Sequence, residues 1–238
     1  MTATHPTTII DCGDRPAREV NREVRAAIAA GARSIRLANP AARHNLGVAL
    51  SEGVTMVIDG PAGYYPGGLN DGATVEVRGG AGWGAAESMR DGTVVVDGDA
   101  GNAAAASIRG GTVVVKGDAS TRAGIAMKGG TLVVGGDVGP MAAFMMQKGR
   151  LIVCGAAHDG VADSMYEGEV FVGGPIRGTL GADAVDAEIT PDDAAAISGA
   201  LERWSLDGPD PRGFRKLVSG RKLWNFHRGD LEIWKTAL

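Results

Sequence analysis

The sequence has few cysteines, few aromatic residues and no long apolar run, and each shortage excludes a class of protein. Cys12 and Cys154 are its two cysteines, too few for a disulfide framework or a four-cysteine metal site. No stretch approaches the eighteen consecutive apolar residues of a membrane-spanning helix. The first ten residues lack the basic and apolar regions of a signal peptide, so we expect a cytoplasmic protein. The net charge of −4 favours neither nucleic acid nor an anionic membrane as a partner.

Glycine is abundant, at 38 of 238 residues, whereas aromatic residues make up only 5% of the chain. Such a composition is unusual for a layered globular core, but it suits a fold that turns often. Glycines open short apolar runs at a nearly constant interval, and these are Gly53, Gly72, Gly92, Gly111, Gly130, Gly149 and Gly168. A second series of glycines closes the same runs. The sequence is therefore a repeat of about nineteen residues, in which the interval from Gly72 to Gly92 is one residue longer than the others.

Each apolar run is three to five residues long and rich in valine, as in Val94–Val96 and Val113–Val115. Short β-branched runs bounded by glycine indicate strands, and the recurring glycines disfavour a helix. Every unit has the same direction and phase, so identical strands stack in register and bury a continuous core. We therefore predict an all-β fold, a single-stranded parallel β-helix of about seven 19-residue coils over residues 50–182.

One apolar side chain stands three residues before each opening glycine, and we expect these side chains to form a ladder inside the β-helix. Its members are Leu50, Leu69, Met89, Ile108, Met127, Met146 and Met165. The opening glycines are expected at corners, where positive φ or close approach of the backbone excludes a β-carbon.

Two columns of charged residues also follow the repeat. Asp99, Asp118 and Asp137 lie after the closing glycines, and the column is either a metal-binding ladder or, as we favour, a set of turn caps. Arg90, Arg109 and Lys128 lie beside the ladder. Such a column is typical of a solvated face, with a docking strip as the alternative.

The two flanks differ from the repeat. Residues 1–49 predict a small α/β cap, with strands at 8–11 and 34–37 around a helix at 15–31. Residues 183–238 predict a helix that starts at the N-cap Thr190, runs to about Leu206 and caps the end of the β-helix.

The tail that follows this helix combines aromatic residues with arginines, a composition typical of interface hot spots. The residues predicted to dock a partner are Arg215, Arg221, Trp224, Phe226, Arg228 and Trp234. The alternative is an ordinary tail that folds over the last coil.

No catalytic constellation stands out in the sequence. The four histidines share no metal-ligand spacing. Cys154 and His158 lie close together, but the cysteine occupies a strand position and is interpreted as a small buried residue. The string Gly79–Gly84 imitates a phosphate-binding loop but lacks a following helix. We therefore predict no catalytic, cofactor-binding or metal-binding residue in this chain.

The repeated unit, seen in Gly110–Asp118 and Gly129–Asp137, resembles the GXGXG domain. That domain forms the right-handed β-helix of the large glutamate synthase subunit and also occurs in one subunit of formylmethanofuran dehydrogenase. With the tail segment Arg215–Phe226, the chain most resembles the separate GXGXG subunit of split glutamate-synthase-like enzymes, which include N-methylglutamate synthase. The likeness covers residues 45–182.

The resemblance implies a non-catalytic scaffold with two partner subunits. One is a class II amidotransferase-like subunit, and the other carries FMN and an iron–sulfur cluster; the β-helix helps to enclose the route of the amine between them. The alternatives are the GXGXG subunit of a formylmethanofuran dehydrogenase or formyltransferase/hydrolase complex, and a stand-alone β-helix that binds saccharide or acts as an enzyme.

Overall fold

The computed structural model of the protein describes residues 6–220, which form eleven strands and two α-helices. The elements are β1 (Thr7–Asp11), α1 (Ala17–Ala29), β2 (Ser34–Ala38), β3 (Thr55–Ile58), β4 (Asp71–Val77), β5 (Asp91–Val96), β6 (Thr112–Val115), β7 (Lys128–Val134), β8 (Lys148–Val153), β9 (Glu169–Val172), β10 (Ala184–Ala187), α2 (Pro191–Trp204) and β11 (Arg215–Ser219). None of the helices described is long and apolar enough to cross a membrane.

All eleven strands belong to one sheet, in the order β1 to β9, then β11 and β10. The nine strands β1 to β9 are parallel, and β3 to β9 contribute one strand to each of seven coils. Thr93 aligns with Thr112, and Thr112 aligns with Thr131. The prediction of a parallel β-helix of seven coils, followed by a helix, is confirmed.

Alternate residues of each strand point inward. Val94 and Val96 belong to the main core cluster, whereas Val95 between them points outward. Because side chains alternate across a strand, a three-valine run supplies two inward side chains and one outward side chain per coil. Stacked over seven coils, the inward side chains form one continuous apolar core.

Each coil also contains a turn stretch, rich in small residues, in which every second residue is left-handed. In the third coil, after β5, Ala103, Ala105 and Ser107 have φ values of 61°, 58° and 57°. Their N–H groups donate in alternate directions, to Thr121, Ala85 and Ile125 of the neighbouring coils, at 2.9, 2.8 and 2.8 Å. A left-handed residue other than glycine costs about 1–2 kcal/mol, and these hydrogen bonds between coils offset that cost.

Six of the seven opening glycines have positive φ, between 73° and 115°. Gly168 is the exception, because its φ is not positive. A β-carbon at Gly168 would lie 2.6 Å from the sulfur of Met146, so a side chain there would require the Met146 side chain to move.

The inner ladder departs from the prediction at one position. Leu50, Met89, Ile108, Met127, Met146 and Met165 are buried, but Leu69 is 55% exposed, so its assignment to the ladder was wrong. Asn70 takes its place, fully buried, and exchanges hydrogen bonds of 2.8 and 3.1 Å with the backbone of Ala73. Thr74 and Thr93 align at the regular interval of nineteen residues, whereas Gly72 and Gly92 are twenty residues apart. Counting three residues back from Gly72 therefore passes Asn70, which stands nineteen residues before Met89, by one residue.

The aspartate column locks successive coils together. The Asp99 carboxylate accepts the backbone N–H of Asp118 at 2.8 Å, and Asp118 accepts that of Asp137 at 2.7 Å. The glycine before each donating amide makes room: a β-carbon at Gly117 would lie 2.1 Å from the Asp99 carboxylate oxygen. The favoured turn-cap interpretation therefore needs correction, since each carboxylate caps the next coil and not its own turn.

At the N-terminal end, β1, α1 and β2 form the predicted α/β segment. β1 pairs parallel with β2, and β2 pairs parallel with β3, so the main sheet continues across residue 49. Helix α1 connects them and buries Val20 and Val24.

At the C-terminal end, α2 begins as predicted, with Thr190 and Asp193 forming a capping box. Its predicted position at the end of the β-helix was wrong, because Ile197 packs on the outward side chains Val133, Ile152 and Phe171. The outward column is apolar in these late coils, whereas Glu76 occupies it in an early one. At this end of the sheet, β11 pairs antiparallel with β9, and β10 pairs antiparallel with β11.

A buried lysine joins these C-terminal elements. The Lys216 ammonium lies 2.7 Å from Glu169 and 2.9 Å from Asp193, and it lies over the ring of Phe171. Burial by itself would lower the pKa of Lys216, but the hydrogen bonds to Glu169 and Asp193 outweigh it and raise that pKa. Burial would likewise raise the pKa of Asp193, but hydrogen bonds from Thr190 and Lys216 hold it below its usual value.

Candidate functional site

The residues predicted to dock a partner are only partly described. Arg221, Trp224, Phe226, Arg228 and Trp234 lie outside the described residues. Arg215 lies in β11, where its guanidinium donates to the carboxylate of Asp186, with Nη2 at 2.9 Å from Oδ2. The hydrogen bond from Arg215 lowers the pKa of Asp186. Residues 214–217 carry the buried side chains Phe214, Lys216 and Leu217, so this part of the tail folds over the last coil.

The basic column is exposed to solvent. Arg90, Arg109 and Lys128 are all exposed, and the Arg90 side chain, 70% exposed, lies 3.6 Å from the carboxylate of Asp71. An ion pair this open to water contributes little.

Cys154 is buried, and burial raises the pKa of its thiol to about 11. The reactive thiolate is therefore disfavoured at neutral pH, which argues against a nucleophilic role. Among residues 6–220, no group of three or more His, Cys, Asp or Glu side chains is placed to hold a metal ion.

The structure reveals one exposed cluster that the sequence analysis did not identify. We call it the aromatic patch, and it consists of His44, Tyr64, Tyr65 and Trp83. The ring of Tyr64 stacks on His44, with centroids 4.4 Å apart, and on Trp83, at 5.1 Å. Tyr65 meets Tyr64 edge to face at 6.4 Å. The three larger rings are 39%, 41% and 50% exposed in chain order.

Glycines of the neighbouring coil leave room for each ring. A β-carbon at Gly82 would lie 2.7 Å from the Tyr64 ring, and one at Gly101 would lie 2.7 Å from the Trp83 ring. A β-carbon at Gly84 would lie 2.5 Å from the Tyr65 ring. Two glycines of the string 79–84, which imitates a phosphate-binding loop, thus leave space for aromatic rings against the backbone.

A hydrogen bond fixes the first ring of the patch. The backbone N–H of Tyr64 donates to Nδ1 of His44 at 2.8 Å. This bond requires the neutral tautomer of His44 with its proton on Nε2. The hydrogen bond and the stacking together hold the rings of His44, Tyr64 and Trp83 in contact.

The sequence does carry a signal for this patch. Aligned on the coil repeat, the aromatic residues at 64 and 83 occupy the same position in two successive coils. Residues so aligned stack on each other in a β-helix, because neighbouring coils are one strand spacing apart.

Comparison with known proteins finds a structural similarity but no family. No protein-family model matches the chain, and no curated protein matches it. A chain of the formyltransferase/hydrolase complex FhcABCD from Methylorubrum extorquens, solved in complex with methylofuran, is similar in structure. It is 24% identical, with a TM-score of 0.48, over 64% of this chain and 67% of that chain. A similarity of this size assigns neither a family nor an activity to the present protein.

Proposed function

We propose that this chain is a GXGXG-family subunit without an active site of its own, which scaffolds a glutamate-synthase-like enzyme complex. The observation that carries the proposal is the aromatic patch, an ordered and solvent-exposed group of rings on an otherwise aromatic-poor chain. The repeated Gly-Gly-Thr-Val-Val-Val unit, which resembles the GXGXG domain, supports the choice of complex.

The energetics of the patch favour a protein partner. Each buried aromatic side chain removes about 150–250 Å² from water, worth about 25 cal/mol per Å². Tyrosine and tryptophan are the residues enriched in interface hot spots. Because stacking and the His44 hydrogen bond already fix the rings, docking costs little side-chain entropy.

The proposed complex is N-methylglutamate synthase, which forms N-methylglutamate from glutamate and methylamine. Its other subunits are an amidotransferase-like subunit with an N-terminal cysteine nucleophile and a subunit that carries FMN and an iron–sulfur cluster. In this proposal the β-helix packs between them and encloses the route of the amine. All redox and amine-transfer chemistry belongs to the partner subunits.

Co-expression of the tagged chain with these two partner subunits tests the proposal. We expect the three subunits to co-purify and to form N-methylglutamate, whereas the chain alone binds no flavin and shows no turnover. The double variant Tyr64→Ala, Trp83→Ala should lose co-purification and activity while keeping its circular dichroism spectrum. Tyr166→Ala is the matched control, since Tyr166 is 42% exposed in a distant coil.

Different results would contradict different parts of the proposal. Flavin binding or turnover by the lone chain would exclude the non-catalytic role. Assembly with formyltransferase/hydrolase subunits instead of the flavin subunit would favour the alternative complex. If the double variant assembled as well as the wild type, the aromatic patch would not be the docking surface.

A further inference from the structure

The strand β1 lies at the N-terminal edge of the sheet. Within residues 6–220 it pairs with β2 on one side, and no described strand pairs with its other side. Ile9, at its centre, is 65% exposed and is the most exposed large apolar residue described. Its neighbour Ile10 points inward and is buried.

The direction of the backbone groups in β1 follows from its pairing. The N–H of Cys12 donates to the carbonyl of Ala38 in β2. Within a strand, the N–H and C=O of one residue point to the same side, and those of every second residue point to that side as well. Thr8 and Ile10 therefore direct their groups towards β2. Thr7, Ile9 and Asp11 direct theirs towards the free edge.

The free edge carries one charged residue, Asp11 at the end of β1, and no lysine, proline or bulge. Natural edge strands carry lysine, proline or a bulge that blocks the approach of another strand. The strand Thr7–Asp11 has the sequence Thr-Thr-Ile-Ile-Asp and pairs with β2 in an unbroken register. At the opposite edge of the sheet, β10 carries Asp186, whose carboxylate is bound by Arg215.

We propose that β1 pairs antiparallel with β1 of a second copy of this chain, around a twofold axis that passes between the two Ile9 residues. In this register Ile9 faces Ile9, and Thr7 faces Asp11 of the other copy. These are the residues whose backbone groups point to the edge, so each facing pair exchanges two hydrogen bonds. The sheets of the two copies then form one continuous sheet across the twofold axis.

The strand complements itself, which singles out a second copy as the occupant. A twofold interface uses the same patch on both subunits, so each residue must fit the one that it faces. Here an apolar residue faces an apolar residue, a hydroxyl faces a carboxylate, and no like charges meet. An uncharged groove lined by Pro6, Thr8, Ala27, Ala30, Gly31 and Ala32 flanks the same edge and adds apolar contact.

A contact built on one five-residue strand is small, so the dimer is expected to be weak and dependent on concentration. Sedimentation velocity of the full chain alone, from low-micromolar to millimolar concentration, measures it. The mass should rise from 24.3 kDa towards twice that value as the concentration increases.

Two variants identify the interface. Ile9→Lys places like charges at the twofold axis and should keep the chain monomeric over the whole range. Ile9→Pro removes an N–H that points to the free edge, and should do the same without loss of an internal hydrogen bond. Leu69→Lys is the matched control, because Leu69 is 55% exposed and lies away from β1. Circular dichroism and melting temperature confirm that the variants fold.

A monomeric wild type at all concentrations would overturn the proposal. A dimer that survives Ile9→Lys, or that Leu69→Lys also dissociates, would place the interface elsewhere and overturn it as well. The proposal is independent of the proposed function, because the lone chain is measured and the aromatic patch variants should not change its mass.

Discussion

The two sides of each coil are built on different principles. On the strand side, valine runs alternate inward and outward, and their side chains hold the coils together. On the side of the turn stretch, alanine, serine and glycine predominate, and every second residue is left-handed. There the coils are joined by hydrogen bonds of the backbone. Side-chain chemistry therefore limits substitution on the strand side, whereas backbone conformation limits it in the turn stretch.

The largest contrast is expected between Met127 and Leu69, which the repeat assigns to the same ladder. Met127 is fully buried, so Met127→Asp leaves an unpaired carboxylate among apolar layers. We expect a loss of more than about 4 kcal/mol in the free energy of unfolding. Urea unfolding followed by circular dichroism measures it.

Leu69→Asp is the control for this prediction. Leu69 is exposed and left-handed, with φ of 56°, and aspartate tolerates that conformation well. We expect a change within about 0.5 kcal/mol. Equal losses for the two variants would mean that Leu69 does belong to the ladder.

A second prediction concerns the outward face of the strand side, where Lys216 joins α2 to the last coil. Lys216→Met leaves the Asp193 carboxylate buried without its ion-pair partner, at a cost of about 3 kcal/mol at neutral pH. The pKa of Asp193 is lowered by folding, so its contribution is present above the ordinary value of 3.8 and is lost as the pH falls through the lower folded pKa.

The pH dependence separates this ion pair from simple packing. The difference in stability between wild type and Lys216→Met should shrink in acid, below 3.8, once Asp193 is protonated. The pKa of Lys216 is raised by folding, so its contribution to the free energy of unfolding is fully present below pH 10.5. That contribution is lost as the pH rises through the higher folded pKa. A difference that stays constant between neutral pH and acid would assign the effect to the lost hydrocarbon stem of Lys216.

The strand side was the predictable part of the fold. Period, direction and inward alternation follow from valine runs such as Val113–Val115, because packing of a pleated strand dictates them. The same holds for the start of α2, where Thr190 and Asp193 form a local motif. The position of α2 was not predictable in the same way, since it depends on the combined outward faces of three separate coils.

The turn stretch was less predictable because its conformation is enforced by neighbouring coils. Isolated alanines avoid the left-handed region, so nothing local in Ala103–Ser107 indicates alternating φ. The error at Leu69 had a visible sign, since the interval from Gly72 to Gly92 is one residue longer than the others while Thr74 and Thr93 keep the regular interval. The aromatic patch likewise required alignment of neighbouring coils to become visible.

A third prediction tests whether backbone conformation limits the turn stretch. Ala105 is buried and left-handed, with φ of 58°. Ala105→Val introduces a β-branched side chain that avoids this region and overpacks the core, so we expect a loss of about 2 kcal/mol. Ala105→Gly removes one methyl group but relieves the backbone, and should lie much closer to wild type. If glycine were as damaging as valine, packing and not φ would be the limit.

The smallest expected effect is a gain in stability. Arg122 is exposed and left-handed, with φ of 60°, and its N–H donates to the carbonyl of Pro140 at 2.9 Å. Arg122→Gly keeps that hydrogen bond and removes the left-handed cost of about 1–2 kcal/mol, while glycine adds about 0.5–1 kcal/mol of chain entropy to the unfolded state. The net gain should lie between about 0 and 1.5 kcal/mol, and each kcal/mol raises the melting temperature by about 2–4 °C in a chain of this size. Arg109→Gly is the matched control, because Arg109 is also an exposed arginine but its φ is not positive. It removes the same charge and should lower the melting temperature. Shifts of the same sign in both variants would mean that charge, and not the left-handed backbone, sets the stability of the turn stretch.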